Sequence, residues 1–541
     1  MMGTDERRRV GGGASPRARR VGLAGLSAAV AVLAVAGPAW ATNGLESPDI
    51  GVVQVGRGGA WLARADDPLA FFYNPAGLAS QAHGIHVGMQ FLFRSQCFDR
   101  MDENGVRPSP GSSLEPAPGP VCSDALPIPN PQLAANIRLH EKVALGFGVV
   151  APHAAGFVTW PESLTYPNRF GVETEHPAPT RYLMTANKSL LLFPTVSVGV
   201  APIEEFAFGV GLTWGVARLE FSNMNEAVSG IRGTPQPDDF TGDVKSTIDG
   251  VDGFVPGIVV GVQATPHERV QLAAWYRYSD AVRANVDLYG ISNYYTLGGA
   301  VNPAAPDNPA NITDQDNAGR AVLPVPMEAK LGVRYRHPRK NAQSQEWASD
   351  QAGKVLDPMA SEVFDVEVDF TWAHNSQFQA LELAFGCTDR TPDQCAAGLT
   401  DVPIVGTPGN APRNGDIPHN WRDVFGARWG GDYNVVPDLL ALRVGGFVES
   451  KGGDDAYMHP DFAQGLRGGV GGGLTVRLNF VDLSAAYQHT FYTTQDNGGA
   501  GAIQAISGDL TTDNRSRQVV NGGKMTANLN EIALGATFHI H

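Results

Sequence analysis

The sequence predicts an all-β protein, a 14-stranded antiparallel transmembrane β-barrel plugged by an N-terminal hatch. Three observations predict it. Apolar and polar residues alternate with period two over nine to twelve residues at a time, and they do so repeatedly. The connections between these stretches alternate long and short along the chain. An apolar segment, residues 42–83, precedes the first alternating stretch and is too long for a tail.

The first 41 residues read as a cleaved signal peptide. Arg7, Arg8, Arg9, Arg17, Arg19 and Arg20 make a basic start, residues 21–37 are uncharged and rich in Ala, Val, Leu and Gly, and Ala39-Trp40-Ala41 is a small-x-small cleavage site. The mature chain is expected to begin at Thr42. The formal charge of the whole chain is −15; the leader removes six arginines and two acids, which leaves −19. An acidic chain without basic clusters is a poor partner for nucleic acid, whose phosphates need cations. No run of eighteen apolar residues follows Gly37, so no helix is expected to span a membrane. That leaves open a barrel, whose alternating strands are bland by average hydropathy.

In "GIHVGMQFLFRS", Ile85, Val87, Met89, Phe91 and Phe93 share one face, with His86, Gln90 and Arg94 on the other. In "FAFGVGLTWGVA", Phe206, Phe208, Val210, Leu212 and Trp214 oppose Gly209, Gly211 and Thr213. "FDVEVDFTW" sets Phe364, Val366, Val368 and Phe370 against Asp365, Glu367 and Asp369. Such a face pair fits a soluble sandwich or a membrane wall. Length favours the wall, because globular strands average about five to six residues and tilted membrane strands need about nine to eleven. Strands are expected near 84–94, 131–140, 143–151, 190–201, 205–220, 254–265, 269–283, 327–337, 363–374, 420–433, 439–449, 469–480, 481–492 and 528–540. "HEK", "PIEE", "PHER" and "VVPD" are tight links, whereas 95–130, 152–189, 221–253, 284–326, 375–419 and 493–527 are long. Short turns on one rim and long loops on the other characterise outer-membrane barrels. The link 338–362 breaks the rule. All four cysteines fall in long loops, so Cys97 with Cys122 and Cys387 with Cys395 are the candidate disulfides of an exported chain.

Catalytic signatures are missing: there is no G-x-S-x-G, H-E-x-x-H, C-x-x-C or phosphate-binding glycine loop. His83 with His86 and His539 with His541 are close in sequence but read as incidental, so neither metal, cofactor nor enzyme activity is expected. The segment "GVVQVGRGGAWLARADDPLAFFYNPAGLAS" belongs inside the barrel. Its turn at Asn74-Pro75 is led by Phe71, Phe72 and Tyr73, and so apolar a turn is tolerable only where it packs against a wall.

"GRGGAWLARADDPLAFFYNPAGLA" resembles the N-terminal signature of the FadL/TodX family of outer-membrane transport proteins, and so do "TNG" and the closing "LNEIALGATFHI". "EKVALGFGVVAP", "LPVPMEAKLGVRYR", "VEVDFTWAHNSQF" and "LLALRVGGFVES" resemble the family's strands in order. The resemblance implies a hatch at 42–83 inside a barrel formed by 84–541 in the bacterial outer membrane. It also implies uptake of long-chain fatty acids or hydrocarbons, released sideways into the membrane lipid by a monomer. The hatch motif falls on Asn74, Pro75, Ala76 and Gly77. The family's kinked third strand falls on "VALGFGVVAP", where Gly146, Gly148 and Pro152 weaken the strand or only make room for the hatch. Lys330 and Arg334 are candidate contacts for an anionic headgroup, against pairing with lumen acids such as Asp365 and Glu367. The chain departs from the usual aromatic barrel terminus by ending Phe538-His539-Ile540-His541. A lipid-acting barrel enzyme and a hydrophilic porin are the rival readings.

Overall fold

The computed structural model describes residues 49–540 apart from 111–113, 125–126, 153–155, 227–239, 340–354, 387–398, 407–409 and 507–514. The expected leader, the start at Thr42, His541, and Cys387 with Cys395 lie outside the described residues. Fourteen strands close into an antiparallel barrel. They are β1 (His83–Arg100), β2 (Ile128–His140), β3 (Val143–Val150), β4 (Ala186–Ile203), β5 (Phe206–Asn225), β6 (Val244–His267) and β7 (Val270–Ser279). β8 (Glu328–Pro338), β9 (Glu362–Ala373), β10 (Val424–Val436), β11 (Leu440–Glu449), β12 (Arg467–Leu478), β13 (Val481–Tyr492) and β14 (Gly523–Ile540) complete the circuit. Each pairs with its successor, and β14 returns to β1 in one unbroken ladder from His83↔Ile540 to Arg100↔Gly523. Every predicted strand is present.

The burial pattern shows what the alternation encodes. On β5, Phe208, Val210, Leu212 and Trp214 face outward, Leu212 being 68% exposed, while Thr213 faces inward at 7%. The inner face elsewhere carries Gln90, Asn136, Gln263, Arg334, Asp365, Glu367, Asp369, Arg428 and Glu531, all buried. A barrel with an apolar exterior and charged interior is built for lipid, because a water-soluble fold would bury the first and expose the second.

Above Trp214 this polarity inverts. Along the outer half of β5 the inward residues become Ala217, Leu219 and Phe221, and the outward ones Arg218 and Glu220. Arg218 pairs with Asp249 at 2.7 Å on the outer surface, and Lys188 with Glu220 at 2.8 Å. On β6 the change comes with a register shift between Asp252 and Val255. Beyond β7, Asp280 and Ala281 interrupt the strand, and Val282–Ile291 continues it with Val282, Ala284, Val286 and Leu288 turned inward. A one-residue slip in a strand moves every side chain to the opposite face. Ile312–Leu323 and Ala380–Phe385 extend β8 and β9 in the same way. Residues 284–291, 312–323 and 380–385 fall in expected loops, whereas Val282 and Arg283 end the expected strand 269–283. These pieces are strands with a polar outer face and an apolar inner face, the reverse of the pattern that lipid requires.

The expected bridge Cys97–Cys122 is formed, and the short strand Val121–Cys122 lies against Cys97 and Phe98 of β1.

Candidate functional site

Residues 49–82 fill the barrel. The plug is short-ranged structure: a helical turn α1 (Val52–Gly56), a second α2 (Ala70–Tyr73), and a 3-10 turn over Pro75–Ser80. Such pieces are too short to be stable alone, so the wall has to hold them. It does so differently on its two sides.

On one side the hold is ionic. Gly58 and Gly59 both take positive φ, which lets the "GRGG" turn press against β10 and β11. A Cβ on Gly430 or Gly445 would lie 2.2 or 2.1 Å from the carbonyl oxygen of Arg57, so the wall is glycine where the plug touches it. The Arg57 guanidinium, fully buried, donates to Asp365 at 2.9 and 3.0 Å, to Asp432 at 2.8 Å and to Glu367 at 3.4 Å. Its Nε donates to the Ala60 carbonyl at 2.8 Å. Arg64 adds a contact to Asp432 at 2.9 Å. From the wall, Arg428 reaches Asp49 at 2.6 Å. The backbone N–H groups of Trp61 and Leu62 donate to Asp369, and that of Ala63 to Glu367. The polar face of "FDVEVDFTW" is thus the plug's receptor.

On the other side the hold is small and nearly uncharged. Asn74-Pro75-Ala76 lies on a glycine patch: Cβ atoms at Gly209, Gly261 and Gly199 would stand 2.3, 2.0 and 2.5 Å from Pro75 C, Asn74 Oδ1 and Pro75 O. Asn74 caps the following turn by accepting from Ala76 N at 3.2 Å, and its Nδ2 donates to Leu62 O at 2.9 Å. Added Cβ atoms at Gly146 and Gly148 would meet Phe71 at 2.9 and 2.6 Å, so both glycines of β3 make room for the plug. Gly77 packs on Ala65, and Pro152 is buried past the end of β3. Ser197 Oγ donates to Phe71 O, Trp275 Nε1 donates to Phe72 O, and Phe72 stacks on Phe193 at 6.2 Å. Tyr73 shares hydrogen bonds with both backbone groups of Ile50.

Next to this side the wall has a gap among the described residues. The β2–β3 ladder runs from His140↔Val143 only to Leu133↔Val149. Beyond it, Ile128–Gln132 of β2 are paired with β1 alone among the described residues. The chain past β3 resumes at Gly156–Thr159, where it pairs with β4 and not with β2.

Of the two headgroup candidates, Arg334 is removed by the geometry. It is fully buried and committed to Asp365 at 2.7 Å, Glu362 at 2.5 Å and Gln271 at 2.6 Å. Lys330 is placed differently, 4.8 Å from the Trp275 ring centre and 5.6 Å from that of Tyr73, with Glu328 at 4.0 Å. Arg277, absent from the sequence expectations, stands nearby over Phe72 at 5.4 Å. A signal for it existed, since its inward parity on β7 equals that of Gln271.

No protein-family model matches the chain, and neither does any curated protein. Solved structures do. A FadL homologue of Pseudomonas aeruginosa is 16% identical with a TM-score of 0.62, over 93% of this chain and 100% of that one. The toluene transporter TodX of P. putida is 14% identical with a TM-score of 0.56, over 91% and 99%. The CymD monoaromatic hydrocarbon channel is 14% identical with a TM-score of 0.51, over 93% and 99%. At these identities the likeness speaks for architecture alone: this chain is a barrel with the FadL/TodX fold.

Proposed function

We propose that this chain is a passive outer-membrane channel for small hydrophobic molecules, exported by its first 41 residues and gated by the hatch at 42–83 within the barrel of 84–541. The observation that carries the reading is the inverted polarity above Trp214. A hydrophilic porin keeps a polar lumen, whereas here the outer half of the wall turns Leu219, Phe221, Val282, Ala284, Val286 and Leu288 inward. A ligand entering between the loops would gain about 0.8 kcal/mol per methylene removed from water. The apolar surface then leads to Phe71 and Phe72, beside the edge of β2 that has no second strand partner among the described residues. Motion of the plug on this side breaks van der Waals contacts and a few hydrogen bonds, while the ionic side stays docked. The exit is lateral, into lipid.

The test is uptake by the double variant Asn74→Ala/Pro75→Ala. It is expected to fold as a heat-modifiable barrel, to lose most uptake of a hydrophobic probe, and to leave passage of small polar solutes unchanged. Wild-type uptake in the folded variant would reduce the motif to a structural turn.

Long-chain fatty acids are the substrate class we favour, with Lys330 as the contact for the carboxylate and the aromatic rings of Trp275 and Tyr73 beside it. Lys330→Met should weaken retention of a fatty acid about tenfold, the worth of one charge-assisted contact of roughly 1.5 kcal/mol, and leave a neutral hydrocarbon unaffected. Equal loss of both would show a packing role and favour the hydrocarbon reading.

A further inference from the structure

We propose that His419, His459 and Asp461 form a binding site for one divalent transition-metal cation of the zinc class, clipping two outer loops together. His419 lies just before β10, and His459 and Asp461 lie in the loop between β11 and β12. Their ligand atoms all fall within 4.8 Å of one another, and all three residues are buried. They were missed in sequence because forty residues separate the histidines; the near-neighbour pair His83 and His86 is instead spent on separate contacts with Arg138 and Thr537.

The polar contacts within the trio call for a cation. His419 Nδ1 lies 2.8 Å from the carbonyl oxygen of Ile417, which requires a hydrogen on Nδ1. In the neutral imidazole that hydrogen leaves the lone pair of Nε2 facing Asp461 Oδ2, 2.8 Å away. His459 Nδ1 accepts the backbone N–H of Asp461 at 3.3 Å, yet stands 2.8 Å from Asp461 Oδ1. With both rings neutral, the Nε2 lone pair of His419 and the Asp461 carboxylate converge on one small volume with Nδ1 of His459, whose long 3.3 Å contact to the Asp461 N–H a metal would replace. A bound cation satisfies them together. The Ile417 carbonyl then does what an outer partner does for a metal-bound imidazole, holding its tautomer and its plane.

The donor set suits zinc, which takes imidazole nitrogen and carboxylate oxygen at about 2.0–2.2 Å in tetrahedral geometry. Spreading the ligands to the roughly 3.3 Å spacing of such a site needs small side-chain rotations. Phe378 stacks on His419 at 4.7 Å, and Trp421 and Phe462 flank the same ring at 5.6 and 5.8 Å. Phe221 of β5 lies 6.2 Å from the ring of His459. This aromatic shell keeps bulk water out and strengthens ion–ligand attraction. Arg94 of β1 is attracted to the Asp461 carboxylate, so its positive charge competes with a bound cation and a divalent ion has to outweigh it.

The experiment uses the full chain in detergent, purified without a histidine tag, stripped with chelator and titrated with zinc chloride by calorimetry. One ion per chain is expected. His459→Ala and the shape-conserving Asp461→Asn should each lower the affinity more than about 100-fold, beyond what loss of an outer partner costs, with heat-modifiable migration retained. His539→Ala, at the opposite rim, should leave it unchanged. Zinc should also slow proteolysis of residues 450–466 in the wild type only. Absence of binding at millimolar zinc, or a binding event indifferent to both site variants, overturns the proposal. So does loop protection that follows pH and ignores zinc, which would make the trio a proton-bound cluster.

Discussion

Replacing Arg57 by methionine is expected to unplug the barrel while leaving its wall standing. Among the described residues, the guanidinium is the one plug group that touches three wall carboxylates, Asp365, Glu367 and Asp432, at 2.8–3.4 Å. Removing one partner of a buried ion pair costs about 3–5 kcal/mol, because the remaining charges stay desolvated and uncompensated. Part of that cost is moderated here. Asp365 keeps Arg334 at 2.7 Å, and Asp432 keeps Arg443 at 3.3 Å. The two sides of the wall therefore retain their own ion pairs, and the loss falls on docking of the plug. Taken as a shift between docked and undocked plug, the lower figure multiplies the undocked population by about 150. The measurable result is leakage: faster entry of small polar solutes into liposomes or cells, with strand content and heat-modifiability unchanged. Arg57→Lys should leak less than methionine but more than wild type, since an ammonium keeps the charge and loses the planar fork. Tight wild-type behaviour of the methionine variant would mean that Arg64 and the Trp61–Ala63 backbone contacts hold the plug unaided.

This ionic dock also shows what could be read from the chain and what could not. The wall was legible because lipid imposes a local rule: each strand must alternate, and each carried its alternation within itself. Asp365, Glu367 and Asp369 were correctly read as lumen residues for that reason, and Asp365 does pair with Arg334. The plug was legible as an apolar segment seeking a wall. Its anchor was not, because the partners of Arg57 lie about 308 and 375 residues away. The glycines that receive it, Gly430 and Gly445, looked like ordinary strand glycines. A local hint is the "GRGG" turn, whose consecutive Gly58 and Gly59 allow two positive-φ residues directly after Arg57. For the stretch 284–291, the expectation of loop has a different cause. Its alternation was visible in "VRANVDLYGI", but its sense is reversed relative to the membrane strands, and length alone placed it among the connections.

Val210→Arg is expected to be the most damaging single change on the outer surface. Val210 faces outward between Phe208 and Leu212, midway along the run that Phe206 opens and Trp214 closes. At this depth the side chain meets hydrocarbon, and an arginine near mid-membrane costs roughly 2–4 kcal/mol. The telling comparison is Val251→Arg. Val251 is also outward-facing, 57% exposed, and is paired with Arg218 on β5. It stands above the level where polarity inverts, beside the Arg218–Asp249 surface pair, and so meets water. Its cost should be no more than about 1 kcal/mol, made up of like-charge repulsion from Arg218 across the ladder. Equilibrium unfolding in urea from lipid vesicles, followed by tryptophan fluorescence, reads both variants on one scale. A large gap between them locates the membrane boundary near Trp214, and with it the start of the apolar vestibule on which uptake of a hydrophobic ligand depends. Equal costs would put both valines in the same environment, the boundary would move outward, and the inward apolar residues of Val282–Ile291 would become lining of a membrane-embedded wall.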